Sequence, residues 1–420
     1  MIKQKLEYIL FSNKFYNFFL KPFDKIKYQI VNEDKLKEER IENSVPFNKI
    51  ANVSDIYNKE WSNALEGLSQ IFPINEKIFH RKTWEFIHII YILKKSGYLY
   101  PKNKGLAIGS GREQILYYLA YKIEKITGID LFEGNYIGGE DEPDIPKNPK
   151  RYASFIYHDT NLDIIKMDAL NLEFKDNSFD FIFSASSIEH FGSKKNILKS
   201  IKEMYRVLKP GGIAVITTEI KLNRLACNIP NTIIFELNEL LTLFKQSDFL
   251  LYENEIDIRI EDYYLNNWVK LPQEVFKSPH VILRFLRSIF TSIAIVFKKP
   301  GNSVKKGRWK ENTNFQLFEY KGSIKVRPEK KIFFTHETMV IQVQLKNNSN
   351  FDWFSNGMSH RIAIGIKLLN LEDKIIDDAY GEIVIPNNIK IGESIDFKAE
   401  VPIKMGPGHY KLFFDLKREL

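Results

Sequence analysis

The densest run of chemically useful residues is GLAIGSGRE, Gly105 to Glu113: an apolar strand, a turn with glycines at 109 and 111, and the start of a helix. Glycines there let backbone amides approach a ligand closely, and a helix N-terminus favours a negative group such as a carboxylate or phosphate. Alone, such a loop is equally a tight turn. Asp130 ends the next strand, 130 − 111 = 19 residues past the second glycine. That is near the spacing of about 20 at which an acid accepts hydrogen bonds from ribose hydroxyls, so the pair predicts a nucleoside ligand. Asp168-Ala169 close the third strand, where a carboxylate and the adjacent amide can meet an adenine edge; the plainer alternative is a solvated loop aspartate. Glu189 and His190 follow the fourth strand, at the edge where doubly wound sheets bind ligands. An imidazole there suits a general base, with Glu189 orienting it or contacting the ligand, or is simply a helix-start histidine bonded to backbone.

These residues need a scaffold. GLAIG, ITGID, IIKMDA, FDFIFSA, IAVITTEI, FLLYENEIDI and TSIAIVFKK read as strands, with helices at Glu113 to Ile123 and Asn196 to Leu208. Near-continuous apolar strands alternating with helices predict an α/β fold with a doubly wound, mostly parallel sheet covered on both faces. Before it, Arg81 to Leu93 places apolar residues at three- and four-residue intervals, predicting a helix with one buried face in which Trp84 is core. Arg81 and Trp84 are weaker candidates for an acceptor pocket. Residues 1–75 form an N-terminal helical extension, packed on the main domain or resting as a basic amphipathic helix on an anionic membrane. Its DKLKEERIEN stretch is expected to be solvated. The main domain runs over 76–300 and a Lys-, Gly- and Asn-rich linker over 301–318. From 319 to 420, alternating strands between turn clusters predict an all-β sandwich, with Trp353 and Phe354 as core and not as a glycan platform. The polar insertion from Glu133 to Asn161 reads as an exposed loop, with a lid over the acceptor as the alternative.

The glycine loop, the acid after the second strand, Asp168-Ala169, FDFIFS and LKPGG stand in the order found in class I S-adenosylmethionine-dependent methyltransferases, which residues 80–300 resemble. HRKTWEF, GLAIGSGREQ and FSASSIEHFG further resemble a subgroup encoded with bacterial surface-polysaccharide genes, some with an immunoglobulin-like β-sandwich tail. The resemblance implies a Rossmann-like methyltransferase fold and S-adenosyl-L-methionine as cofactor. Its site would be built by Ile108, Gly109, Ser110, Gly111, Glu113, Asp130, Leu131, Asp168, Ala169, Ser184 and Ala185. It also implies O-methylation of a sugar hydroxyl of a glycan or nucleotide sugar, with His190 as base and Glu189 beside it. Two positions depart from the family: Glu113 stands in place of the third glycine, and Ala107 in place of an acid in the first strand. A lipid or small-metabolite methyltransferase, or a methyltransferase-fold binding protein without activity, are the alternatives.

The 420 residues, 44% hydrophobic and 27% charged, exceed what one core needs and argue against disorder. The net charge of +8 is spread along the chain and makes no basic-aromatic patch, so a nucleic-acid partner is not expected. The single cysteine, Cys227, excludes an internal disulfide and any multi-cysteine zinc site. No metal-ligand cluster stands out. With no convincing signal peptide and no apolar run near the roughly 20 residues a spanning helix requires, the expected place is the cytoplasm, with the inner face of the membrane open to the N-terminus.

Overall fold

A computed structural model describes residues 28–65, 68, 71–133, 145–223, 229, 231–302, 306, 321–329, 332–334, 336–355 and 361–419. The expectations for residues 1–27, Cys227, most of the linker and residues 134–144 of the insertion lie outside these. The chain divides into two compact units, the first being Met1–Pro146 with His158–Asn314 and the second Lys147–Tyr157 with Phe315–Leu420.

In the first unit, the strands that carry the site are β1 (Lys104–Ile108), β2 (Lys125–Asp130), β3 (Leu162–Lys166), β4 (Phe179–Ala185), β5 (Leu208–Lys221) and β6 (Ser288–Lys298). They lie in the order β6-β5-β4-β1-β2-β3, all parallel except β6, which runs antiparallel to β5 over nine residue pairs. The chain winds outward through β2 and β3, then returns to place β4 beside β1. That reversal opens a crevice at the C-terminal ends of β1 and β4, where doubly wound sheets bind ligands. Gly105 in β1 opposes Phe181 in β4, and an added Cβ would stand 2.4 Å from the Phe181 ring, so only glycine lets these strands close. Every residue of β4 is buried, as a central strand covered on both faces requires.

The charged helix α1 (Glu33–Glu42) buries only Leu36 and Arg40, while α2 (Arg81–Lys95), α3 (Gln114–Lys122), α4 (Lys194–Val207) and α5 (Leu237–Lys245) carry the apolar faces that pack on the sheet. Residue types set their starts: Asn32 accepts from Lys35 N–H ahead of α1, His80 from Lys82 N–H ahead of α2, and Ser193 from Asn196 N–H ahead of α4. The DKLKEERIEN stretch is helical, but it is not fully solvated. Arg40 is completely buried, its guanidinium 2.9 Å from Asp55 and 2.6 Å from Asp257, and Lys49 meets the same Asp55 at 2.5 Å. Residues before α2 also add strands: Gln29–Val31 pairs with Arg259–Glu261, and Lys49–Ile50 pairs with β6. Of FLLYENEIDI, only Leu250–Leu251 forms a strand. Glu253 instead accepts from Phe47 N–H and Asp257 pairs with Arg40, which takes this segment out of a ladder.

The second unit contains two three-stranded antiparallel sheets. One orders Gly322–Pro328, Thr338–Asn347 and Ser394–Pro402; the other orders Ile375–Val384, Arg361–Leu369 and Lys411–Glu419. Ile341, Val343 and Leu345 of one sheet meet Ile362, Ile364 and Ile366 of the other in a shared core, which makes a β-sandwich. Trp353 belongs to that core at 1% exposure, its indole N–H donating to Ser349 Oγ, while Phe354 is half-buried.

Three histidines in the first unit are held neutral. His88, fully buried, accepts from the Trp61 indole and donates to Phe47 O, and burial with Lys49 nearby lowers it to about 3. His80 and His280 stack with ring centroids 4.2 Å apart; burial and neighbouring cationic groups lower them to about 4 and about 3. An unfolded histidine titrates near 6.5, so from there down toward pH 4 the unfolded chain binds protons that the folded one refuses. Each histidine's contribution to stability is therefore expected to be full above pH 6.5 and to fall by up to about 1.4 kcal/mol per pH unit below it, opposed over the same range by buried carboxyls such as Glu261, raised to about 7. Urea unfolding of the wild type and of His88→Gln at pH 7.5, 6 and 5 isolates this: the stability difference between them should shrink as the pH falls, and a difference that stays constant would contradict it.

Candidate functional site

β1 ends at the buried Ile108, and the chain reverses through Gly109 (φ +65°) and Gly111 (φ +45°) into α3. At Gly109 an added Cβ would stand 2.4 Å from Ser187 Cβ, and Ser187 Oγ donates to Gly109 O, so the loop is pressed onto the chain leaving β4. At Gly111 no atom lies within 4 Å of where a Cβ would be; the loop is open on that side. Asp130, at the end of β2, fixes this geometry. Its Oδ2 accepts from Gly111 N–H at 3.0 Å and its Oδ1 from Phe132 N–H at 3.1 Å.

The other expected residues fall around this point with unequal orientation. Ser110 is buried, its Oγ packed over Gly128 without a hydrogen-bond partner, so it offers a ligand its backbone and not its hydroxyl. Leu131 is 42% exposed beside Asp130. Asp168 is exposed and accepts from Leu170 N–H, making a small turn next to the buried Ala169. Ser184 and Ala185, the last residues of β4, are buried. Glu113 occupies the N-cap position of α3 but makes no side-chain cap bond. His190 is half-buried, its Nδ1 3.1 Å from Asn231 O and 3.3 Å from Thr232 Oγ1.

Behind this edge lies a buried ionic cluster that sequence spacing assembles only in part, through Arg81, Lys82 and Glu85 on α2. Glu85, fully buried on α2, accepts from Ser186 Oγ, Thr217 Oγ1 and Ser292 Oγ and pairs with Arg81 at 3.2 Å and Lys82 at 3.3 Å. Arg81 also reaches Glu219 of β5 at 2.6 Å, and Thr218 Oγ1 donates to Glu189. Burial and the neighbouring Glu219 raise Glu189, while Arg81, against the opposing effect of burial, lowers Glu219. Glu189 Oε1 and Glu219 Oε2 are both buried with no hydrogen-bond partner. The neutral form of Glu189 is favoured by burial and by Glu219 beside it. Charged residues inside apolar runs, Glu85 in WEFIHII and Glu219 in IAVITTEI, were the available signals.

A cleft of about 740 Å³, lined by Phe47, Tyr91, Glu253 and Asp257 among others, shares no residue with the glycine loop. Its Asp257 is already paired with Arg40 and Arg259. Among the described residues, no group of three or more His, Cys, Asp or Glu is placed to hold a metal.

Residues 106–216 match a family model described as "Methyltransferase domain", and the first unit has the Rossmann-like methyltransferase fold. Among curated relatives, "Probable tRNA methyltransferase 9B" of Mus musculus is 48% identical over 50 residues, covering 12% of this chain and 11% of that protein. "Demethylmenaquinone methyltransferase" of Staphylococcus epidermidis is 42% identical over 55 residues, covering 13% and 22%. "Probable methyltransferase ltbC" of Aspergillus luteorubrus is 32% identical over 135 residues, covering 31% and 42%; the chain thus spans less than half the length of each. A solved SAM-dependent methyltransferase from Aquifex aeolicus is 18% identical with a TM-score of 0.32, over 59% of this chain and 98% of that one.

Removing one member of a buried ionic cluster strands its partners and typically costs about 3–5 kcal/mol. Arg81→Met is expected to lower the unfolding free energy by about that much, and Glu219→Gln in the same chain to restore part of it. Chemical denaturation of both variants measures the pair; a double variant less stable than Arg81→Met would contradict the pairing.

Proposed function

We propose that this chain transfers a methyl group from S-adenosylmethionine to a hydroxyl, and that the hydroxyl belongs to a sugar of a glycan or nucleotide sugar. The observation that carries the donor is the contact of Asp130 with Gly111 at the crevice between β1 and β4. The residues suit this ligand. Each Asp130 oxygen accepts one amide and keeps a lone pair for a ribose hydroxyl, Gly111 leaves room beside it, and Asp168 with Ala169 stands beyond the third strand for an adenine edge.

When bound, the cofactor supplies an electrophilic methyl group on a sulfonium. The protein's part is to align donor and acceptor, exclude water and take the acceptor's proton. His190 suits the proton transfer, because Nδ1 against Asn231 O favours the tautomer with its proton on Nδ1, which leaves the lone pair on Nε2. Glu189, the residue expected to orient it, has its carboxyl turned to Thr218 and the neighbouring Glu219.

The sugar rests on the resemblance of HRKTWEF, GLAIGSGREQ and FSASSIEHFG to surface-polysaccharide methyltransferases, and the same resemblance supports an immunoglobulin-like second unit and a bacterial source. A lipid or small-metabolite acceptor is supported instead by the similarity to demethylmenaquinone methyltransferase. The similarity to a tRNA methyltransferase spans as short a stretch, 50 residues, and the charge spread along the chain adds no support for a nucleic-acid acceptor. We place the reaction in the cytoplasm or at the inner membrane face; among the described residues no helix is long and apolar enough to cross a membrane.

Calorimetric titration should show S-adenosylmethionine binding to the wild type and about ten- to a hundredfold weaker binding to Asp130→Asn, the loss expected for a charge-assisted hydrogen bond. His190→Ala should keep cofactor affinity while methyl transfer to nucleotide sugars falls by about 10²–10⁴. A wild type that binds no cofactor would turn the reading to a binding protein without activity.

A further inference from the structure

Glu113 stands where the glycine loop meets α3. Its side chain turns away from the helix it precedes and toward α2, with Oε1 3.4 Å from Lys82 Nζ and Oε2 buried without a hydrogen-bond partner. Lys82 is fixed from the other side, donating to Ala185 O at 2.5 Å and lying 3.3 Å from Glu85. A carboxyl and an ammonium held this far apart, with one carboxyl oxygen left unsatisfied, form a long and incomplete pair. It lies between the glycine loop and the end of β4. A group that brings both a cation and an anion completes it.

We propose that Glu113 and Lys82 together hold the amino-acid end of the methyl donor, Glu113 accepting from its α-ammonium and Lys82 donating to its α-carboxylate. The inference rests on S-adenosylmethionine as the ligand of this edge and adds which residues read its amino-acid end. The groups that face Glu113 are Lys82 and Glu85 on α2 and Asp130 on β2. Burial raises its carboxyl to about 8; the two neighbouring carboxylates add to that and Lys82 opposes it only in part. Near pH 7 the ligand-free protein therefore carries Glu113 as the neutral acid. When an ammonium arrives, the O–H bond breaks, the electron pair stays on the carboxylate and the proton leaves to solvent. This assigns a role to the residue that replaces the family's third glycine.

Calorimetry in two buffers of different ionisation enthalpy tests this on the full chain, using S-adenosylmethionine, S-adenosylhomocysteine and 5′-methylthioadenosine, which lacks the amino-acid end. The first two should release most of one proton at pH 7 and bind roughly tenfold tighter at pH 7 than at pH 6. Methylthioadenosine should release none. Glu113→Gln should bind S-adenosylmethionine about ten- to a hundredfold more weakly without proton release, and methylthioadenosine as the wild type does. Wild-type binding of S-adenosylmethionine with no proton release, matched by unchanged affinity in Glu113→Gln, overturns the proposal and leaves the cofactor reading standing. Failure of the wild type to bind any of the three overturns both.

Discussion

One carboxylate holds the candidate site in shape. Asp130 takes the amide of Gly111 on one oxygen and that of Phe132 on the other, tying the reversal after β1 to the end of β2. Backbone at positive φ is costly for most residues and persists where its surroundings over-determine it. Here glycines lower the cost and Asp130 supplies the determination. The contact between Ser187 and Gly109 closes the other side, so the chain leaving β4 and the loop leaving β1 depend on one another. The crevice they frame follows from strand order, because only β4 returning beside β1 makes an opening at the sheet's edge.

The ionic cluster of Arg81, Lys82, Glu85, Glu113, Glu189 and Glu219 sets the electrostatics behind that opening. Four carboxyls face two cationic groups. Burial in such a place favours the neutral form wherever no cation is close enough, which is why Glu113 and Glu189 rise while Glu219, in contact with Arg81, falls. The cluster thereby has protons to release and negative charge in reserve, properties suited to a cationic ligand. The same α2 that supplies Arg81, Lys82 and Glu85 buries Trp84 and His88 on its other contacts, so one helix serves both core and site.

The parts legible in the sequence are those that local chemistry dictates. Strand β1, the paired glycines and the acid 19 residues on are contiguous or regularly spaced, and so are β4, α2, α3 and α4 to within a few residues. Trp84 and Trp353 read as core from their apolar neighbours, and both are buried. What a single sequence hides is pairing at a distance. Arg40 reads as solvent-exposed inside DKLKEERIEN because its partners Asp55 and Asp257 lie 15 and 217 residues away. Glu219 reads as an isolated charge for the same reason, since strand order brings it to Arg81, whereas Glu85 meets Arg81 and Lys82 within one turn of α2. FLLYENEIDI has the alternation of a strand, yet its acidic residues are taken by the segment before α2, and most of the ladder never forms.

The most direct test of the central claim is a crystal structure of the protein grown with S-adenosylhomocysteine. The ribose hydroxyls should contact Asp130 and the ligand should lie along Gly109–Gly111 at the ends of β1 and β4. A ligand seated in the cleft between Phe47, Tyr91 and Glu253, with the glycine loop untouched, would contradict the account.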